Sequence, residues 1–189
     1  MNTLELESYL KRTSCSPNIK VLACDQLPTE VKLPPECTLI VNLDDSFSEG
    51  SHWILFHTPK QNSIQQHCDF PLSKMYTSGK NPLIWFDSLG IINRNLYPQF
   101  EKFLRNYFPI LSNSNNSVQE FKRYSESCGM FCLYVGIQLC EGRRFPDILN
   151  TFYETGNQLN YNECLVLDYL NRKFKTNNFQ SVIGCKREK

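Results

Sequence analysis

Apolar positions along this chain recur at two spacings, and the spacings predict its elements. A helix is expected from Thr3, where Leu6, Tyr9 and Leu10 share one face. Four short segments, "IKVLA" (19–23), "TLIVNL" (38–43), "HWILFH" (52–57) and "LIWFD" (83–87), are rich in β-branched and aromatic residues and bounded by Pro, Gly or Asp. They are expected as strands. "NLYPQFEKFLRNYF" (95–108) sets Leu96, Phe100, Phe103, Leu104 and Tyr107 at helical spacing, the pattern of an amphipathic helix lying on a sheet. "VQEFKRY" (118–124) predicts a further strand. From Cys128 to Glu141 the chain is apolar on nearly every side, so this helix belongs inside the core. "FPDILNTFYETG" (145–156) carries Pro in a first turn and a Gly stop, and Tyr161 to Phe174 predicts the last helix. The polar stretches "TSGKNP" (77–82) and "SNSNNS" (112–117) are too short to be domain linkers. The expectation is one α+β domain over 1–189, a central mixed sheet flanked by helices.

Composition narrows the class. With 41% hydrophobic residues the 189-residue chain can bury a sizeable core, and a formal net charge of +1 supplies no broad positive field for nucleic acid. The nine cysteines are odd in number, and "MNTLELESYLKRT" has no apolar signal core. The expectation is therefore an intracellular, reduced protein with mostly buried free thiols. No apolar run approaches the roughly 18 residues of a membrane span.

Chemistry concentrates at Cys128. It opens the buried helix, where the positive end of the helix dipole favours a thiolate. Gly129 removes bulk beside it, so a carbonyl could approach and helix-start N–H groups could receive an oxyanion. Cys132, Cys140 and Cys164 are expected to be structural. A thiolate nucleophile needs a base, and the chain has three histidines. Strand alternation puts His52, Ile54 and Phe56 on one face and Trp53, Leu55 and His57 on the other, so His52 and His57 cannot both address one site. His52, at the strand's start, is the candidate; His57 is expected on the surface or in packing. His67 beside Cys68 lacks further ligands at metal spacing, so no metal site is expected. The base needs an orienting carboxylate. Asp87 ends an apolar strand, whereas Asp44 and Asp45 suit a loop.

His52, Asp87 and Cys128 arrive in the order His, Asp, Cys. "GSHWILF", "LIWFDSLG" and "VQ…SCGMFC" resemble the His-Trp, acid-containing and Gln…Cys-Gly motifs of adenain, the adenovirus maturation protease. They resemble still more closely the adenain-like proteases of Polinton/Maverick-type elements and related DNA viruses. "CDQLP" and "LIVNLDDSFSEGSHW" extend the resemblance to about Leu4–Glu141, and the same clan contains the SUMO- and ubiquitin-like-protein proteases. Each motif alone is a common dipeptide; three in this order, in these strand and helix contexts, are specific.

The resemblance implies a papain-like/adenain-like fold with Cys128 as nucleophile, His52 as general base and then acid, and Asp87 as the orienting carboxylate. Adenain itself has Glu at the acid position, and Asp is usual among the SUMO proteases. Gln119 is implied as the oxyanion donor, although it lies nine residues before Cys128 and the family's Gln is closer. Trp53 and Gly129 are implied at the substrate groove, Trp53 alternatively as a core aromatic. The implied activity is a cysteine endopeptidase that cuts viral or mobile-element capsid and core precursors at small-residue, Gly-containing sites, as a monomer in the host nucleus and virion. An activating peptide and DNA are implied as cofactors by resemblance only. The basic residues of "EGRRF" and "LNRKFK" fit helix-end solvation as well as a DNA contact. Two alternatives remain open: an isopeptidase removing SUMO or ubiquitin-like modifiers, and a non-catalytic binding domain that retains the fold.

Overall fold

The computed structural model describes residues 2–48, 51–60, 80–90, 98–112, 117–119, 127–152 and 159–179. Helix α1 (Thr3–Leu10) is opened by a reciprocal cap in which Asn2 Oδ1 accepts from Glu5 N and Glu5 Oε2 accepts from Asn2 N. Strands β1 (Ile19–Ala23), β2 (Thr38–Asn42), β3 (Trp53–His57) and β4 (Asn81–Phe86) follow. Then come α2 (Pro98–Leu104), β5 (Tyr107–Ser112), α3 (Cys128–Cys140), α4 (Phe145–Leu149) and α5 (Leu159–Phe174). The five strands lie in chain order as one sheet, parallel at β1/β2 and β4/β5 and antiparallel between. The protein is thus α+β, with a five-stranded mixed sheet flanked by helices.

Every residue of β2 and β3 is buried, because both sheet faces are covered. On one face Ile40, Trp53, Leu55, Ile84 and Phe86 pack with α3 and with Leu6 and Leu10 of α1. On the other, Leu39, Val41, Ile54, Phe56 and Trp85 pack with Phe100 and Phe103 of α2. Helix α3 lies close to the sheet at Gly136, where a Cβ would sit 3.2 Å from Leu55 Cδ1 and 3.6 Å from Thr38 Cγ2.

Four expectations are corrected. The helical pattern read through Tyr107 stops at Leu104, and Tyr107 opens β5 instead. Tyr107 still packs on Phe103, but its hydroxyl accepts from Leu33 N at 2.9 Å, a distant partner that no local period announces. Val118 and Gln119 are not in a strand, since both their N–H groups donate to the single carbonyl of Ser88 at 2.9 Å; 120–124 lie outside the described residues. Helix α4 ends at Leu149, far short of Gly156, which also lies outside them. Finally, not all thiols are free. Cys15 and Cys140 form a disulfide joining the chain after α1 to the last residue of α3, whereas Cys24, Cys37, Cys128 and Cys132 are free and buried. Among the described residues no helix is long and apolar enough to cross a membrane.

The disulfide closes a loop of sequence separation 125, so it removes much conformational freedom from the unfolded chain. Cys140→Ser is expected to lower unfolding stability by about 2–5 kcal/mol. Urea denaturation of the native protein and of the variant checks this.

Candidate active site

Antiparallel pairing of Leu55 with Phe86 brings the entrance of β3 beside the exit of β4. His52 stands just ahead of β3 and Asp87 just after β4. Asp87 begins the turn Asp87–Gly90, closed by Gly90 N donating to Asp87 O at 3.0 Å; Gly90 has φ +65°, which a glycine adopts without strain. Within that turn Asp87 Oδ1 accepts from Leu89 N at 2.9 Å and from His52 Nε2 at 2.7 Å. The carboxylate is 1% exposed, so its geometry is set by protein groups.

Cys128 lies close enough to the imidazole that its sulfur, by hydrogen bonding and charge, helps raise the His52 pKa. Since Nε2 faces Asp87, the nitrogen left for the sulfur is Nδ1. Cys128 is the first residue of α3 and is buried. Ser127 makes no side-chain cap, and the first ladder bond there is Phe131 N to Ser127 O at 3.0 Å. The N–H groups of Cys128, Gly129 and Met130 therefore precede the helix ladder, beside the sulfur.

Gln119 ties these two loops together. Its Oε1 accepts from Ser88 Oγ at 2.6 Å, and its Nε2 donates to Ser127 Oγ at 2.9 Å. One buried carboxamide thus spans from the residue after Asp87 to the residue before Cys128. Asn162 of α5 supports it by donating from Nδ2 to Val118 O at 2.9 Å. Sequence reasoning missed Ser88, Ser127 and Asn162. The first two adjoin singled-out residues, a signal that could have raised them; Asn162 carries none.

Electrostatics decide the protonation of His52. Burial alone would pull its pKa down, but hydrogen bonding to Asp87 and Cys128, with the charges of both, outweighs that and holds it at about 9, up from 6.5. Cys132, one turn along α3, differs: burial pushes its thiol well up, the nearby Cys128 and Asp87 adding to this, and its Sγ donates to Trp53 O at 3.4 Å. It is a packing thiol.

The structure therefore brings His52, Asp87, Cys128, Gly129 and Gln119 together. Trp53 adjoins them and is buried in the core cluster that also holds Cys128 and Phe131. His57 is a packing residue, its Nδ1 2.8 Å from Thr38 Oγ1. Of His52 and His57 only His52 addresses the site, but strict strand parity is not the reason. His52 and Asp87 both stand beyond strand ends, where the adjoining loop and not the pleat aims the side chain. Asp44 and Asp45 lie in a loop, and His67 and Cys68 fall outside the described residues. Among the described residues no group of three or more His, Cys, Asp or Glu side chains converges to hold a metal. No protein-family model matches the chain, and no curated protein matches it.

A histidine pKa raised from 6.5 to about 9 gives the fold stability that is fully present below about pH 6.5 and lost as pH rises through about 9. NMR titration of the imidazole should show this high pKa in the native protein. Asp87→Asn should lower it by at least one unit, about 1.4 kcal/mol, and flatten the alkaline loss of stability.

Proposed function

We propose that the protein is a cysteine endopeptidase of the adenain-like kind, with a papain-like arrangement of nucleophile helix and sheet, using Cys128, His52 and Asp87. The observation that carries this is one imidazole held between a buried carboxylate and a thiol at an uncapped helix start. A purely structural histidine needs no such sulfur partner, and a binding module needs no nucleophile there.

In this reading the Cys128 proton already resides on His52 as a thiolate–imidazolium pair, and the thiolate attacks a peptide carbonyl carbon. As the C–S bond forms, the carbonyl electrons move onto oxygen. Helix-start N–H groups receive that oxyanion, with Gln119 as the further donor that the family resemblance implies; one good donor contributes about 3–4 kcal/mol. When the C–N bond breaks, His52 protonates the leaving amine. Water then attacks the thioester, His52 takes its proton, and Cys128 leaves as thiolate. Asp87 fixes the ring so that Nδ1 faces sulfur and stabilises the imidazolium. Gly129 leaves space for the acyl group, which favours small residues at the cut.

The substrates proposed are viral or mobile-element capsid and core precursors, cut at Gly-containing sites in the nucleus and virion. An activating peptide or DNA rests on the resemblance alone, and every free thiol among the described residues is buried.

Incubating the purified chain with candidate precursors, and mapping cuts by mass spectrometry, should yield fragments ending at or beside small residues that disappear with Cys128→Ala. Equal cutting by that variant, or by peptides with bulky residues at the bond, overturns the proposal. Gln119→Ala should lower kcat about 10²–10³-fold. Because the proton on His52 is required, kcat/KM should fall as pH rises through about 9, and this limb should move to lower pH in Asp87→Asn.

A further inference from the structure

The carboxyl ends of β1, β2 and β4 and the amino end of β3 all lie at one end of the sheet, as their pairing directions require. The candidate triad occupies the β3/β4 part of that end. A cavity of about 240 Å³ occupies the β1/β2 part, bounded by Asn2 and Leu4 of the α1 start, Ala23, Asn42, Asp45 and Ser48. It is smaller than the roughly 300–1,000 Å³ of a small-molecule site and suits a single long side chain.

Its chemistry has three parts. Asn42 is 7% exposed; its Oδ1 accepts from Asp44 N at 3.1 Å, while among the described residues its Nδ2 has no hydrogen-bond partner. A nearly buried side chain thus lines the cavity with an amide N–H that is open to solvent and can donate to a peptide carbonyl. Second, Asp25, Asp44 and Asp45 gather at this end of the sheet, near enough that, after burial, all three raise the pKa of the Cys24 thiol. Among the described residues none of them forms an ion pair. Asp25 accepts from Ser46 N and Oγ, and Asp45 accepts from Phe47 N and Ser48 Oγ, so the rim is ordered but not neutralised. Third, Phe47, between the cavity-lining Ser46 and Ser48, is 95% exposed, and Leu4 on the opposite wall is 76% exposed. Carboxylate, open aromatic ring and aliphatic edge together fit a cation on an apolar stem.

We propose that this cavity is a substrate subsite for a lysine or arginine three or four residues from the cleaved bond, with Asn42 holding the adjacent backbone and Asp45 the cationic head. The inference rests on the endopeptidase reading above. The register follows from spacing: Ala23 pairs with Asn42 and Asn42 with Trp53, so the cavity lies about two strand spacings, or about 10 Å, from the residue after His52. An extended peptide covers that in about three residues.

Eight-residue peptides with a central Gly-Gly pair, carrying Arg, Gln or Glu four residues from the bond on one side or the other, test it. Binding of fluorescent forms to full-length Cys128→Ala protein is read by anisotropy and by NMR shifts of Asn42, Ser46 and Ser48. On one side of the bond, Arg should bind about five- to tenfold tighter than Glu, as a charge-assisted contact requires. Asp45→Asn should cut that ratio below about twofold; Phe47→Ala, at an exposed position, should also reduce it if the first variant folds poorly. Equal affinity for Arg and Glu, or shifts confined to other residues, overturns the subsite. Cleavage by the native protein separates the two ideas. Cutting without an Arg preference removes the subsite and leaves the endopeptidase, whereas Arg-selective binding without any cutting removes the endopeptidase and leaves a basic-peptide site.

Discussion

Helix α3 has almost no polar side to turn toward water, and that single constraint decides where the sulfur sits. Eleven of its thirteen residues are buried, so only the inside of the molecule accepts it. The close contact at Gly136 draws it onto β2 and β3, and the Cys15–Cys140 bridge ties its far end to the chain after α1. Its first turn is thereby held against the mouth of the sheet, beside the start of β3 and the end of β4. A mobile or surface helix could present the same Cys-Gly pair without meeting either loop.

The imidazole illustrates how burial and charge compete. Desolvation acts on His52 more strongly than any one attraction, yet a carboxylate at 2.7 Å and a sulfur on the opposite side together reverse its effect. The carboxylate is held in a nearly closed place. The Asp87–Gly90 turn assists by supplying a backbone N–H to the same oxygen that His52 engages. Gln119 then couples the acid loop to the nucleophile loop through two serine hydroxyls. The site is a connected set of hydrogen bonds in which each loop positions the next.

The fold's main elements were legible because their periods are clean. β1 lies where "IKVLA" predicts it, and α3 runs from Cys128 to within one residue of its expected end. Errors arose where a partner distant in sequence overrides local pattern. Tyr107 continues a helical stripe, yet β4 and Leu33 draw it into a strand. Val118 and Gln119 are both drawn to Ser88 O, which removes them from any ladder. Cys15 and Cys140 look like ordinary core thiols until the ends of two elements bring them together.

By itself the sequence determined which side chains could do chemistry: a thiol at a helix start, a histidine at a strand start and a carboxylate at a strand end, each recognisable from its immediate neighbours. Folding in three dimensions is what gathers these three, pairs His57 with Thr38 instead, and lets Gln119 span the two loops despite its longer spacing. The physical reason is that residue type and local period are properties of a few consecutive positions. A hydrogen bond between residues 35 positions apart exists only after the strands have paired and the apolar helix has been driven onto them.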